Sequence, residues 1–161
     1  MSIYLHFRAV AESEIVDDHT WLAAFMSEAW EDSGAECAAG IAHSINKSWE
    51  AVNDLFSAAG AFHADAEESW NLPIYGGRPV PHRADADPSD PPLMLLEPAG
   101  VSQAARFLTT VSFDELWNVF GARSDDLGWD RQEYLEHHRG LKEFYGQAAS
   151  AGHAVVKAVW A

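Results

Sequence analysis

The sequence predicts a single α+β domain, in which a small mixed sheet with the N- and C-terminal strands packs against about five helices. Apolar residues fill alternate positions near the N-terminus: Ile3, Leu5, Phe7 and Ala9. A second apolar run, 153–160, lies at the opposite end of the chain. Between the two runs, amphipathic stripes predict helices near 20–31, 45–59, 98–109, 113–120 and 130–150.

Capping residues support the two helices predicted in the first 60 residues. The helix over 20–31 has Asp18 or Thr20 as its expected N-cap, because a short polar side chain there can accept a free backbone N–H. The helix over 45–59 has Ser44 in the same role. On this assignment Lys47 and Trp49 both lie on the second helix.

A loop excursion from the single domain is predicted at about 61–92. Six of the seven prolines lie between Pro73 and Pro92, and Gly76-Gly77 falls among them, so long regular elements are not expected. The apolar residues before the glycines are expected to form a short strand or to anchor the loop on the core: Trp70, Leu72, Ile74 and Tyr75.

The second half has the clearest helix start. Ser112 and Glu115 match the capping box S-x-x-E, and Val111 and Leu116 are spaced for a hydrophobic staple. Gly121 is the expected end of that helix.

The last strand is predicted to lie centrally in the sheet. It follows the longest predicted helix, 130–150, whose apolar stripe contains His138, expected to be a hydrogen-bonded core residue. Between 154 and 160 Lys157 is the one charged residue, and a strand that is apolar on both faces favours an interior position. Another short strand, 93–96, precedes a helix that starts with Pro98.

Charge limits the classes of partner. The 161 residues contain 10 Lys and Arg against 25 Asp and Glu, a formal charge of −15. Nucleic acids and anionic membranes are therefore not expected as partners, since both attract clustered Lys and Arg. The acidic surface serves either solubility alone or the recognition of a basic protein partner.

The sequence predicts a cytoplasmic protein. No apolar stretch reaches the ~18 residues of a transmembrane helix. The first ten residues lack the basic and apolar regions of a signal peptide. The single cysteine, Cys37, suits a reducing compartment and is expected to be a buried, inert thiol.

Several segments resemble the YfbM-like family of bacterial proteins of unknown function. Asn46-Lys47-Ser48-Trp49 resembles the family's D-K-x-W segment. Residues 95–101 resemble its strand followed by L-T-P-E-E-V, and residues 144–156 its closing F-Y-x-x-A-A-x-x-G-x-A-V. Trp129 stands where the family often has a Trp before the last long helix. The resemblance implies one cytosolic α+β domain and no established activity.

No catalytic set stands out among the reactive residues. Ser44 and Lys47 match the S-x-x-K motif of serine acylases without its companion motifs. Glu133 and His137 are spaced i, i+4 but have no second pair of ligands, and no nucleotide-binding glycine pattern is present. We therefore expect no catalytic residues, no metal and no cofactor.

Two classes of function remain. One is an interaction protein without catalytic activity that binds a basic partner. The other is an enzyme or a binder of a small anionic ligand, with a pocket between the Lys47 helix and the last long helix, roofed by residues 70–78. The candidate ligand-binding residues are Lys47, Trp49, Trp70, Arg78 and Tyr145.

The absence of a metal site is the testable expectation from the sequence. Elemental analysis of the purified protein should find zinc, iron and manganese well below one equivalent, because the paired ligands of a tight site are lacking. A stoichiometric metal would contradict this expectation and would direct attention to Glu133 and His137.

Overall fold

The computed structural model describes residues 2–63, 66–123 and 130–161 and shows an α+β fold. Its strands are β1 Tyr4–Val10, β2 Ala42–Asn46, β3 Arg78–Val80, β4 Leu93–Leu96 and β5 Ala154–Trp160. Its α-helices are α1 His19–Glu31, α2 Ser33–Ala38, α3 Trp49–Ser57, α4 Pro98–Thr110, α5 Phe113–Arg123 and α6 Arg131–Ser150.

The five strands form one sheet in the order β2-β1-β5-β4-β3. The N- and C-terminal strands are neighbours, as predicted, and β5 occupies the central position that its apolar faces indicate. Every pairing is antiparallel. The prediction of a mixed sheet, with both parallel and antiparallel pairs, is therefore wrong. At the centre, Phe7 lies opposite His43 on β2 and opposite Lys157 on β5.

The sheet is covered on both faces. Helix α1 packs Leu22 and Met26 against one face, together with Val10, Leu95 and Val156. The larger core lies on the other face, where Phe7 and Val155 meet buried residues of α3, α4, α5 and α6. Both faces are therefore apolar, which explains why β5 lacks the apolar-polar alternation of a strand with one wet face.

The predicted helix starts at Asp18, Pro98 and Ser112, and the predicted core position of His138, are confirmed. Asp18 accepts the Trp21 N–H at 3.0 Å, and Pro98 begins α4. Ser112 accepts the Glu115 N–H at 3.4 Å at the start of α5. His138 is buried and its Nε2 lies 3.3 Å from the Leu108 carbonyl oxygen, as expected of a core histidine.

The predicted helix over 45–59 is wrong at its beginning. Residues 42–46 form β2 on the free edge of β1, and α3 starts at Trp49. Ser44 is therefore a strand residue and not an N-cap. The apolar spacing from Ile45 to Trp49 fits a helix and also fits a strand followed by a turn, and pairing with β1 decides between them.

Other boundaries also differ from prediction. Helix α2 was not predicted, α5 continues through Gly121 to Arg123, and β3 lies inside the excursion and pairs with β4. Cys37 is exposed on α2, so the prediction of a buried thiol is wrong. Trp129 lies outside the described residues.

A buried lysine fastens the loop that precedes β3. Lys157 has no exposed surface, and its Nζ donates to the carbonyl oxygens of Leu72, Ile74 and Gly76 at 2.7, 3.2 and 2.9 Å. Burial lowers the pKa of Lys157 well below its usual value, while three carbonyl acceptors match the three N–H donors of the ammonium form. The ammonium group thus satisfies backbone oxygens that a buried loop would otherwise leave unpaired.

Tyr145 and Gly77 complete this attachment. The Tyr145 hydroxyl, fully buried on α6, donates to the Pro73 carbonyl oxygen at 2.6 Å. Gly77 has φ +122°, and a Cβ there would lie 2.9 Å from the Leu95 backbone. Only glycine allows the loop to enter β3 so close to β4.

Two histidines lie within the packed sheet, His6 facing α1 and His43 facing α6. His6 Nδ1 is 2.5 Å from Ser44 Oγ, and the His43 ring packs between Phe7 and Phe144. Burial lowers the pKa of both rings to about 4. Both histidines are therefore neutral at physiological pH.

Among the described helices, none has the length and apolar character needed to cross a membrane.

Replacing Lys157 should destabilise the fold. Lys157→Met leaves three buried carbonyl groups without a donor, which we expect to lower the free energy of unfolding by about 2–4 kcal/mol in urea titrations. Tyr145→Phe removes one neutral hydrogen bond and should lower it by about 1 kcal/mol. If Lys157→Met unfolds at the wild-type urea concentration, the loop does not depend on this lysine.

The buried histidines should make the fold sensitive to mild acid. Between pH 6.5 and about 4 the unfolded chain binds protons at His6 and His43 that the folded chain does not, so stability falls as pH falls through that window. Each ring contributes a slope of at most about 1.4 kcal/mol per pH unit.

Urea titrations at several pH values measure this slope. His43→Gln should flatten it, whereas His82→Gln, outside the packed sheet, should not. The charge of Arg8 also lowers the pKa of His6, and that of His137 lowers the pKa of His43. Arg8 and His137 are therefore left unchanged in both variants. An unchanged slope in His43→Gln between pH 6.5 and 5 would contradict the assignment.

Candidate functional site

Lys47 lies in a tight turn between β2 and α3, and not on a helix as predicted. Its φ of 56° is the one positive value among the described non-glycine residues. Its N–H donates to the Ile3 carbonyl oxygen at 2.9 Å, which fixes the turn against the start of β1. The side chain is exposed and has no ion-pair partner within the described chain.

The predicted pocket between Lys47 and Tyr145 is not formed. Tyr145 is fully enclosed and its hydroxyl is used by Pro73, so it cannot line a solvent-reachable cavity. Lys47 points to the surface instead. The loop 70–78 contacts Tyr145 through the Pro73 carbonyl group, so it closes the core there and does not roof a cleft as expected.

The remaining candidates also separate. Arg78 Nη2 donates to Asp17 Oδ1 at 2.6 Å, which places this cation beside the segment that precedes α1. Trp70 is half-buried and packs against the main core. Trp49 is half-buried at the first turn of α3.

An exposed aromatic residue, Tyr75, lies near Trp49. Tyr75 is 42% exposed, one of the two large apolar residues with this much exposure in the described chain. Partial burial raises the pKa of Tyr75 most, and the negative charges of Glu50 and Asp54 raise it further. The Trp49 side chain lowers the same pKa. We call these four residues, Trp49, Glu50, Asp54 and Tyr75, the aromatic–acidic surface.

The secondary structure explains how the four residues meet. Glu50 and Asp54 are spaced i, i+4, so both carboxylates lie on one side of α3. Tyr75 comes from the loop that Lys157 holds through the carbonyl groups of Ile74 and Gly76, one on each side of it. The sequence predicts Tyr75 as part of a short strand or as an anchor of the loop, and not as a surface residue. Its position just before Gly76-Gly77 was the available sign that it could lie at the surface.

Ser48 and His137 form a polar contact between the residue before α3 and helix α6. Ser48 Oγ lies 3.1 Å from His137 Nε2 and donates to the Asn46 carbonyl oxygen at 3.0 Å. Glu133 Oε1 is 4.0 Å from the same His137 nitrogen. In a nucleophile–base–carboxylate set the carboxylate orients the base through its other nitrogen, so this arrangement is that of a structural contact.

His137, Glu133 and Cys37 are the residues considered above as metal ligands or as a reactive thiol. Burial lowers the pKa of His137, against the opposing effect of Glu133. Within the described residues no three His, Cys, Asp or Glu side chains are grouped to hold an ion. Partial burial raises the pKa of the Cys37 thiol, and Glu36 raises it further, which disfavours the nucleophilic thiolate.

Comparison with known proteins agrees with the resemblance seen in the segments around Lys47, Pro98 and Tyr145. No curated protein and no solved structure matches the chain. A family model does match, over residues 1–157, and its description is a domain of unknown function, DUF1877. The chain therefore belongs to the DUF1877 family, the family known as YfbM-like.

Proposed function

We propose that this protein is a binding module that recognises a basic protein partner through the aromatic–acidic surface. The observation that supports the proposal is the position of Tyr75, an exposed ring beside Trp49 and the side of α3 that carries Glu50 and Asp54. Tyr and Trp are enriched among the residues that dominate binding energy at protein interfaces.

The chemistry of this surface suits a Lys or Arg side chain. An aromatic face attracts a cation and also covers the apolar stem of such a side chain. Glu50 and Asp54 are exposed on α3, where they can approach the charged end. The net charge of −15 would in addition speed the encounter with a basic partner.

Rigidity favours the same function. The carbonyl groups next to Tyr75 are bonded to Lys157, and Pro73 is bonded to Tyr145, so the loop is held on the core before any partner arrives. A preformed loop loses little conformational entropy on binding. The alternative of a small anionic ligand at Lys47, Trp49 and Tyr145 lacks this support, because Tyr145 is enclosed.

The proposed location is the cytoplasm, and the proposed activity is binding without catalysis. One cysteine in 161 residues is consistent with a reducing compartment. The polar contact between Ser48 and His137, which most resembles a catalytic pair, has its hydroxyl proton engaged by Asn46.

Variants of the aromatic–acidic surface should lose the partner. Immobilised wild-type protein should capture a basic protein from a lysate of the source cells. Tyr75→Ala should reduce the recovered amount at least tenfold, because it removes the central aromatic contact. The double variant Glu50→Gln, Asp54→Asn should weaken binding most at low salt, where charge attraction is strongest.

Glu28→Gln is the matched control, since it removes an exposed acid from α1 on the opposite face of the sheet. Thermal melting of each variant checks that the fold is kept. Binding that Tyr75→Ala leaves unchanged, or that increases with salt, would contradict the proposal.

A further inference from the structure

An open cleft of about 370 Å³ lies between α4 and the short segment before Trp70. One wall is a single stripe of α4 at positions i, i+3, i+4 and i+7: Gln103, Arg106, Phe107 and Thr110. The other wall consists of His63, Glu68 and Ser69. The cleft shares no residue with the aromatic–acidic surface, and its volume is within the range of small-molecule sites.

Arg106 gives the α4 wall a positive charge that the described chain does not neutralise. Its side chain is exposed, and no carboxylate of the described residues lies within 4 Å of its guanidinium group. This is notable in a chain with 25 acidic residues and 10 basic ones. A guanidinium group presents paired N–H donors that match a carboxylate, and the Gln103 amide adds donors on the same stripe.

The opposite wall has the complementary charge. Glu68 is exposed there and its carboxylate can accept hydrogen bonds, while the neighbouring Ser69 hydroxyl can donate or accept. Phe107 is 5% exposed and lies next to Arg106, so the α4 wall has a small apolar part beside its positive charge. Thr110 donates its hydroxyl to the Arg106 carbonyl oxygen at 2.7 Å, which leaves its oxygen as an acceptor.

We propose that this cleft binds a small zwitterion of the size of a free amino acid. The ligand's carboxylate pairs with Arg106 and Gln103, its ammonium group pairs with Glu68, and its side chain contacts Phe107. A simple anion satisfies only one wall and meets the Glu68 carboxylate, whereas a simple cation meets Arg106. Opposite charges facing one cleft therefore select a molecule that carries both.

Calorimetric titration with the proteinogenic amino acids, one at a time, tests the proposal, with acetate and methylammonium as single-charge probes. At least one amino acid should bind saturably below about 10 mM, and both single-charge probes should bind at least tenfold more weakly. Arg106→Gln and Glu68→Gln should each weaken amino-acid binding about tenfold or more, because each removes a charge-assisted pair.

Arg139→Gln, which removes an exposed cation of α6 outside the cleft, is the matched control and should bind as the wild type does. The absence of saturable binding by any amino acid would overturn the proposal. So would equal binding by acetate, or unchanged binding by Arg106→Gln. These outcomes leave the aromatic–acidic surface untouched, since Tyr75 variants test that surface separately.

Discussion

The attachment of the loop before β3 to the core depends on one buried lysine side chain. Lys157 lies on the central strand, on the face that meets the larger core, and a charge there would be unfavourable without acceptors. The loop before β3 supplies three of them, so the lysine and the loop each satisfy the polar groups of the other. A segment with few regular elements is thereby folded into the core, and its one exposed aromatic residue, Tyr75, gains a fixed position.

This attachment connects the interior of the sheet to the proposed binding surface. Lys157 on β5 and Tyr145 on α6 both donate hydrogen bonds to the loop, and Phe7, opposite Lys157 on β1, has its ring centroid 6.5 Å from that of Tyr145. The loop therefore contacts the sheet and the longest helix together. The position of Tyr75 at the surface consequently depends on the hydrogen bonds that Lys157 makes in the interior.

Much of the fold could be predicted from the sequence, because local signals and tertiary packing agree in those parts. The cap at Asp18, Pro98 at the start of α4 and the capping box at Ser112 act within one turn of helix, so they can be recognised without a structure. The central position of β5 could be inferred because both faces of that strand are apolar.

The site could not be predicted, because it depends on contacts between distant residues. Lys157 is 81 to 85 residues from the carbonyl groups that it binds, and no periodicity shows that pairing. Tyr145 was expected to line a pocket, yet its aromatic ring and polar hydroxyl suit a core position with one buried acceptor equally well. Ile45 is a second example, because its place in a strand depends on pairing with the distant Leu5 on the edge of β1.

The excursion also determines how the sheet ends. An outermost strand presents unpaired backbone groups on which a second chain can add another strand, the first step of edge-to-edge aggregation. Strand β3 is three residues long, and Pro79 at its middle has no N–H that could donate a hydrogen bond to an added strand. Pro81 follows directly after it. The proline-rich segment thus closes one side of the sheet to self-association, a protection that an ordinary strand of the same length would not give.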